Sequence, residues 1–254
     1  MSVTLKNITL SYGSRVLLRD ASARFLPGTL TALVGRNGTG KSTLLRAVAG
    51  LGTLAAGEVE LCGKPLSTLT PHERAVAASF VTTDKVRIAN LPCEDAVALG
   101  RAPYTNWIGR MQQTDRAAVA RALELVGMTS FARKPMDTLS DGECQRILIA
   151  RALAQDTPVI LLDEPTAFLD LPNRYFLAAL LLRLAHEEGK CILFSTHDLD
   201  IALDLCDAVA LIDPPVLHHL PSAEMAGSGR IERLFDAEGI RFDAATRTIR
   251  RTKK

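Results

Sequence analysis

No stretch of the 254-residue chain stays uncharged for the ~18 residues a membrane-spanning helix needs, so any membrane contact is expected to come through a partner. Cysteine is sparse and scattered. The five residues, at 62, 93, 144, 191 and 206, form neither a CxxC pair nor a close cluster, which argues against a disulfide framework and for reduced thiols in the cytosol. An excess of one charge is missing too: 30 Lys and Arg against 28 Asp and Glu leave a net +2, which gives no mandate for a nucleic-acid partner. Internal repeats and low-complexity segments are absent, and the opening MSVTLKNITLSYG alternates like a strand and lacks the basic and apolar segments of a signal peptide. What the chain does have is apolar bulk. With 47% hydrophobic and 23% charged residues it can bury a large core, as one domain or as a core carrying an inserted subdomain.

Turn signals cut the opening third into strands, Val3 to Leu10, Arg15 to Phe25 and Thr29 to Val34, separated by Tyr12-Gly13-Ser14 and Pro27-Gly28. The third strand runs into a glycine-rich loop, and Ser42 to Val48 continues as a helix. From about Asp84 to Leu139 the texture turns helical. Glu94 to Leu99 is a short candidate. Asp115 to Val126 is a better one, with Val119, Ala122, Leu123 and Val126 at i, i+3, i+4 and i+7 and Gly127 as a stop. Arg101 to Gln113, holding the only tryptophan, Trp107, reads as a loop. Strands and helices then alternate: helix Ser140 to Gln155, strand Val159 to Asp163, helix Pro172 to Glu188, strand Cys191 to Thr196, helix Asp198 to Cys206, strand Ala208 to Ile212. Alternation of this kind implies a mostly parallel, covered sheet. The tail suggests a helix, Ile231 to Phe235, followed by a small hairpin. The expected organisation is an α/β core of about 1–83 and 150–254, interrupted by a helical subdomain of about 84–149.

Gly35-Arg36-Asn37-Gly38-Thr39-Gly40-Lys41-Ser42 fits the phosphate-binding loop of NTPases, in the strand–loop–helix context the motif requires. Gly35, Gly38 and Gly40 allow the backbone to approach closely, so that N–H groups surround a β-phosphate at the positive end of the following helix. Asn37, Thr39 and Thr43 complete that cradle, Lys41 reaches the β- and γ-phosphates, and the Ser42 hydroxyl is expected to ligate Mg²⁺. Val159-Ile160-Leu161-Leu162 reads as a buried strand that delivers Asp163 and Glu164 to the carboxyl edge of the sheet. Asp163 would hold Mg²⁺ through water and Glu164 would polarise the attacking water.

Leu139-Ser140-Asp141-Gly142-Glu143, lying between those two signals, resembles the LSGGQ signature of ATP-binding-cassette (ABC) ATPases. The resemblance covers nearly the whole chain and its motifs come in family order. It implies a P-loop ABC ATPase fold, with antiparallel N-terminal strands beside a mostly parallel sheet and an inserted helical subdomain. It also implies MgATP hydrolysis and sites shared across a head-to-tail homodimer, in which Ser140 and Gly142 present a helix N-terminus to the γ-phosphate bound by the opposite subunit. S-x-x-E is at the same time a capping box, so Ser140 is expected to cap its own helix. By the same resemblance His197, in Ser195-Thr196-His197-Asp198, matches the switch histidine, Tyr12 the aromatic on which adenine stacks, and Asp170 of Ala167-Phe168-Leu169-Asp170 the D-loop residue crossing the dimer interface. His218 and His219 have no such support and read as strand-end residues.

Val97 to Tyr104, Asp115 to Gly127 and Gln145 to Gln155 look like the subfamily serving iron–siderophore, haem and cobalamin importers. That implies a peripheral subunit on the cytoplasmic side of the inner membrane, docked under transmembrane permease subunits, fed by an extracytoplasmic binding protein and binding no nucleic acid. Three residues depart from the family pattern. Thr83, in Ser79-Phe80-Val81-Thr82-Thr83-Asp84, stands where the Q-loop glutamine is expected; its hydroxyl could touch Mg²⁺ or its waters with a shorter reach. Asp141 takes the first-glycine place of LSGGQ and Glu143 the glutamine place, so Asp141 is expected to face solvent or a basic partner rather than phosphate. The rival readings are a non-transport cassette ATPase and a weakly hydrolysing regulatory module.

Overall fold

The computed structural model describes residues 2–84, 86–105, 110–234, 240–243 and 248–251, and the loop reading at Trp107 falls outside them. In chain order the strands and helices are β1 (Val3–Tyr12), β2 (Arg15–Phe25), β3 (Thr29–Val34), α1 (Lys41–Val48), β4 (Ala56–Leu61), β5 (Lys64–Pro65), α2 (Pro71–Ala77) and β6 (Ala78–Val81). They continue as α3 (Cys93–Ala98), α4 (Gln113–Leu125), α5 (Asp141–Ala154), β7 (Val159–Leu162), α6 (Leu171–Glu188), β8 (Cys191–Ser195), α7 (Leu199–Asp204), β9 (Ala208–Asp213), β10 (Val216–Pro221), α8 (Ser222–Gly227), β11 (Ile240–Asp243) and β12 (Thr248–Arg251).

Two sheets organise the chain. An antiparallel sheet runs β2-β1-β4-β5, and a six-stranded sheet runs β10-β9-β3-β8-β7-β6, parallel throughout except for β10. Side chains on a strand alternate faces, so each parallel strand feeds two cores. Leu30, Ala32, Ile160, Leu162, Ile192 and Phe194 point toward the helices α3 to α7, whereas Leu33, Val159, Leu161 and Leu193 point toward α1 and the antiparallel sheet. This two-sided burial explains why these strands read as unbroken apolar runs rather than as alternation.

The same topology positions the chemistry. β3, β6, β7 and β8 are parallel neighbours in the six-stranded sheet, so their carboxyl ends lie along one edge. The phosphate loop leaves β3 there, Thr83 follows β6, Asp163 and Glu164 follow β7, and His197 follows β8. Ligands of open α/β sheets bind along this edge.

Residues 84–139 are less helical than their texture predicts. α3 passes into a 3₁₀ segment, Leu99–Tyr104, where Pro103 fits a tight turn better than an α-helix, and α4 is the one long helix of that stretch. Arg101 knits it together. Its Nε donates to Asp115 Oδ1 at 2.9 Å, its Nη1 donates to the Ala154 carbonyl at the end of α5 at 2.8 Å, and its guanidinium lies 4.0 Å over the Tyr104 ring. Both members of the pair are buried. β10 corrects one expectation: His218 and His219 sit inside a strand, opposite Leu211 and Ala210, and the His219 ring packs 4.7 Å from that of Phe25. Burial holds the pKa of both imidazoles down.

Candidate active site

The loop after β3 folds back on itself. Thr39 donates its hydroxyl to the Arg36 carbonyl at 2.8 Å, and Lys41 donates from Nζ to the Gly35 and Arg36 carbonyls at 2.9 and 3.3 Å. Lys41 is buried, and burial pushes its pKa down against the opposing pull of the Glu164 and Asp163 carboxylates. Gly40 caps α1 at φ 105°, a conformation that a side chain resists, and a Cβ there would stand 2.9 Å from Leu17 Cδ1. Neither Asp nor Glu occupies the first turn of α1, so its positive end is left for an anion.

Over this loop opens a cleft of about 420 Å³ lined by Tyr12, Arg15, Leu17, Asn37, Gly38, Gly40, Lys41, Ser42, Thr43 and Glu164. Tyr12 is 75% exposed, so its ring face is free to be covered by a flat ligand. Leu17 and Arg15 were not singled out in the sequence. The signal was available: Gly13 and Ser14 form a two-residue turn that makes Tyr12 and Arg15 cross-strand partners on one face.

The carboxylates form a connected cluster. Ser42 Oγ donates to Asp163 Oδ1 at 3.0 Å and Ser195 Oγ donates to the same oxygen at 2.7 Å. Glu164 has φ 47°, an uncommon backbone for a residue with a side chain, and its N–H donates to Ser195 Oγ at 2.8 Å. His197 Nε2 and Glu164 Oε1 stand 2.8 Å apart, both partly open to solvent. Thr83 Oγ1 donates to the Asp163 backbone carbonyl at 3.0 Å, so it is tied to the acidic strand end. Lys41, Ser42, Thr83, Asp163, Glu164 and His197 are thus gathered at one sheet edge.

Ser140, Gly142 and Asp170 are held differently. Ser140 caps α5 in a complete capping box, its Oγ donating to Glu143 Oε2 at 2.7 Å and accepting from the Glu143 N–H at 3.3 Å, which holds the Glu143 carboxyl below its ordinary pKa. A Cβ on Gly142 would lie 3.1 Å from the Phe168 carbonyl, so the start of α5 packs closely on the 167–170 turn. Asp170 caps α6 by accepting the Asn173 N–H at 3.1 Å. Asp141 meets a basic partner from its own chain, Arg87 Nη2, at 2.5 Å. Cys144 Sγ donates to the Val86 carbonyl and Met136 N–H to that of Leu91, so the segment after Thr83 is fastened along the start of α5.

Comparisons with known proteins identify the family and the fold. Residues 18–167 match the family model described as ABC transporter. The iron(3+)-hydroxamate import ATP-binding protein FhuC of Bacillus subtilis is 36% identical over 201 residues, covering 79% of this chain and 75% of that one. The petrobactin import ATP-binding protein YclP of the same organism is 33% identical over 235 residues, 92% of each chain. Among solved structures, a transporter described as of metal-chelate type, in an inward-facing conformation, superposes with a TM-score of 0.81 at 26% identity, covering 92% of this chain and 89% of that one. A dimeric bacterial ABC transporter cassette superposes at 0.76 with 28% identity, covering 87% and 98%. The phosphate loop, the acidic strand end and the α5 capping box all sit on this shared α/β frame, and the chain belongs to the ABC transporter ATP-binding proteins, the ATPases of that family.

Proposed function

We propose that the chain is the ATP-hydrolysing subunit of an importer for a metal chelate, with an iron–siderophore complex or haem as cargo, and that it works as a homodimer under transmembrane permease subunits on the cytoplasmic face of the inner membrane. An extracytoplasmic binding protein would deliver the cargo to the permease. The observation that carries the enzymatic part is the Glu164–His197 contact beside the Ser42–Asp163 pair, at the mouth of the phosphate-loop cleft. The cargo class is supported by relatives named for hydroxamate, achromobactin, petrobactin and cobalamin import.

The residues fit MgATP. The glycine cradle has room where a Cβ would collide, α1 opens without an acidic residue, and Ser42 and Asp163 present a hard oxygen donor set of the kind Mg²⁺ prefers. When bound, Mg²⁺ would neutralise charge on the β- and γ-phosphate oxygens. In this reading Tyr12 carries the adenine, while Gly35, Asn37, Gly38, Thr39, Gly40 and Thr43 surround the phosphates. Lys41 moves its ammonium from the loop carbonyls to the phosphates. Glu164 accepts a hydrogen bond from the attacking water, and His197, already within hydrogen-bond distance of Glu164, orients both. Thr83, Ser42 and Asp163 stand on the metal side. Residues 84–149 act as the helical subdomain that brings Ser140 and Gly142 to the nucleotide of the opposite subunit, with Asp170 beside them.

A second reading, a weakly hydrolysing regulatory ATPase, draws on the hydroxyl of Thr83 being engaged by the Asp163 carbonyl. One experiment separates the two: reconstitute the chain with its permease in liposomes, then measure ATP hydrolysis and uptake of ferric hydroxamate against cobalamin. Hydrolysis stimulated by cargo-loaded binding protein is the expected result. Basal hydrolysis that ignores both cargoes would favour the regulatory reading.

A further inference from the structure

Behind the two carboxylates lies a hydroxyl that the reaction as described does not use. Ser195 ends β8, two residues before His197, and is fully buried. It bonds to two groups whose roles leave no freedom: a carboxylate only accepts and an amide N–H only donates. Its single proton therefore goes to Asp163 Oδ1, at 2.7 Å, and a lone pair receives the Glu164 N–H, at 2.8 Å. Asp163 Oδ1 is also the oxygen that Ser42 reaches. Glu164, held at φ 47°, is a residue whose backbone needs an external anchor, because a left-handed conformation persists only where the surroundings over-determine it.

We propose that Ser195 is a positioning residue for ATP hydrolysis. It links the carboxylate on the metal side of the site to the backbone of the base, and so fixes where the Glu164 carboxylate, and the His197 ring against it, stand relative to the γ-phosphate. The buried Thr157 hydroxyl donates to a strand carbonyl, that of Val159, whereas Ser195 joins consecutive residues of the acidic pair. The inference rests on Glu164 being the base, and the test keeps the two apart.

The test uses the full chain with Ser195→Ala, Ser195→Thr and Ser195→Cys beside wild type and Glu164→Gln, measuring kcat, KM, affinity for a fluorescent ATP analogue and the thermal midpoint. Ser195→Ala is expected to lower kcat by roughly ten- to a hundredfold, the scale of a misplaced reacting group, with KM and nucleotide affinity unchanged within about twofold. Ser195→Thr, which keeps the hydroxyl, should recover most of kcat; if its extra methyl lowers the thermal midpoint, Ser195→Cys, a weaker donor of nearly the same size, should fall between Ala and wild type. Wild-type kcat in Ser195→Ala alongside an inactive Glu164→Gln overturns the proposal while leaving the base in place. A loss of nucleotide affinity and thermal midpoint in step with kcat also overturns it, since that is what a structural serine would do. Wild-type turnover by Glu164→Gln would instead remove the base itself.

Discussion

The contact between Glu164 Oε1 and His197 Nε2 concentrates the predicted chemistry in two side chains that come from adjacent parallel strands, β7 and β8. Glu164→Gln should keep ATP binding and slow turnover by roughly 10²–10⁴-fold, since it removes proton acceptance and little volume. Nucleotide binding followed by single-turnover hydrolysis is the check, and wild-type turnover would reassign the base. Thr83 carries a separate expectation. Its hydroxyl spans from the segment after β6 to the Asp163 carbonyl, so Thr83→Val leaves that carbonyl without its donor, at a cost of roughly 1–3 kcal/mol. Permease-coupled ATPase should fall more than ATP affinity, and Thr83→Gln should be tolerated. If valine, glutamine and threonine transport alike, another residue senses the γ-phosphate. At this scale the sequence was legible wherever a residue follows a strand end, because a parallel sheet brings those ends together. It was silent on what depends on a partner's direction: that Thr83 faces a backbone carbonyl and that Ser195 lies behind the carboxylates.

Among the elements, the buried Arg101–Asp115 pair ties the turn after α3 to α4 and, through Arg101, to the end of α5, beside the apolar core these helices share. Removing one partner strands the other charge in the interior, so Asp115→Ala should cost about 3–5 kcal/mol in urea unfolding, whereas Arg101→Met paired with Asp115→Leu should cost much less. The Gln112 N–H and Arg101 hold the Asp115 pKa below its ordinary 3.8, with burial pulling the other way. A carboxyl depressed by folding lends stability above its unfolded pKa and loses it as pH falls through the lower folded value. The acid limb of the stability curve below about pH 3.8 should therefore flatten in Asp115→Asn, as read by unfolding midpoints across that range. The α/β alternation from α5 to β9 was readable because short, continuously apolar strands alternate with longer mixed runs of helix length. Residues 49–83 were not: β4 buries only Val59 and Leu61, β5 is two residues long, and α2 buries no residue, so no apolar pattern marks them. Yet α2 opens with a complete capping box, Thr70 to Glu73, and a proline at its first position, the same signal that located α5. β10 was hidden by the prolines at 214, 215 and 221, which read as breaks but only bracket an outer strand.

For the whole molecule, the contacts of Ser140, Gly142 and Asp170 run to their own helix ends and to each other's turn, while the phosphate loop sits with Tyr12 and Arg15. In the proposed homodimer a second copy would bring its own Ser140, Gly142 and Asp170 to this cleft. Glu164→Gln should therefore elute as a dimer with ATP and as a monomer without it, and a monomer under both conditions would count against the shared site. In the proposed dimer, the first turn of α5 would bear on how long the closed state lasts. Asp141 and Glu143 both place carboxylates at a helix end whose partial positive charge would otherwise be free to attract an anion. With that attraction partly spent inside each chain, where Asp141 also pairs with Arg87 and Glu143 caps its own helix, a closed dimer would gain less from a triphosphate and would part sooner. Replacing Asp141 with glycine or Glu143 with glutamine should lengthen the dwell of the ATP-bound dimer, seen as slower loss of fluorescence transfer between labelled subunits after Mg²⁺ is chelated. An acidic helix start of this kind would then work as a timer in the proposed dimer, trading grip on the nucleotide for the speed with which two subunits part.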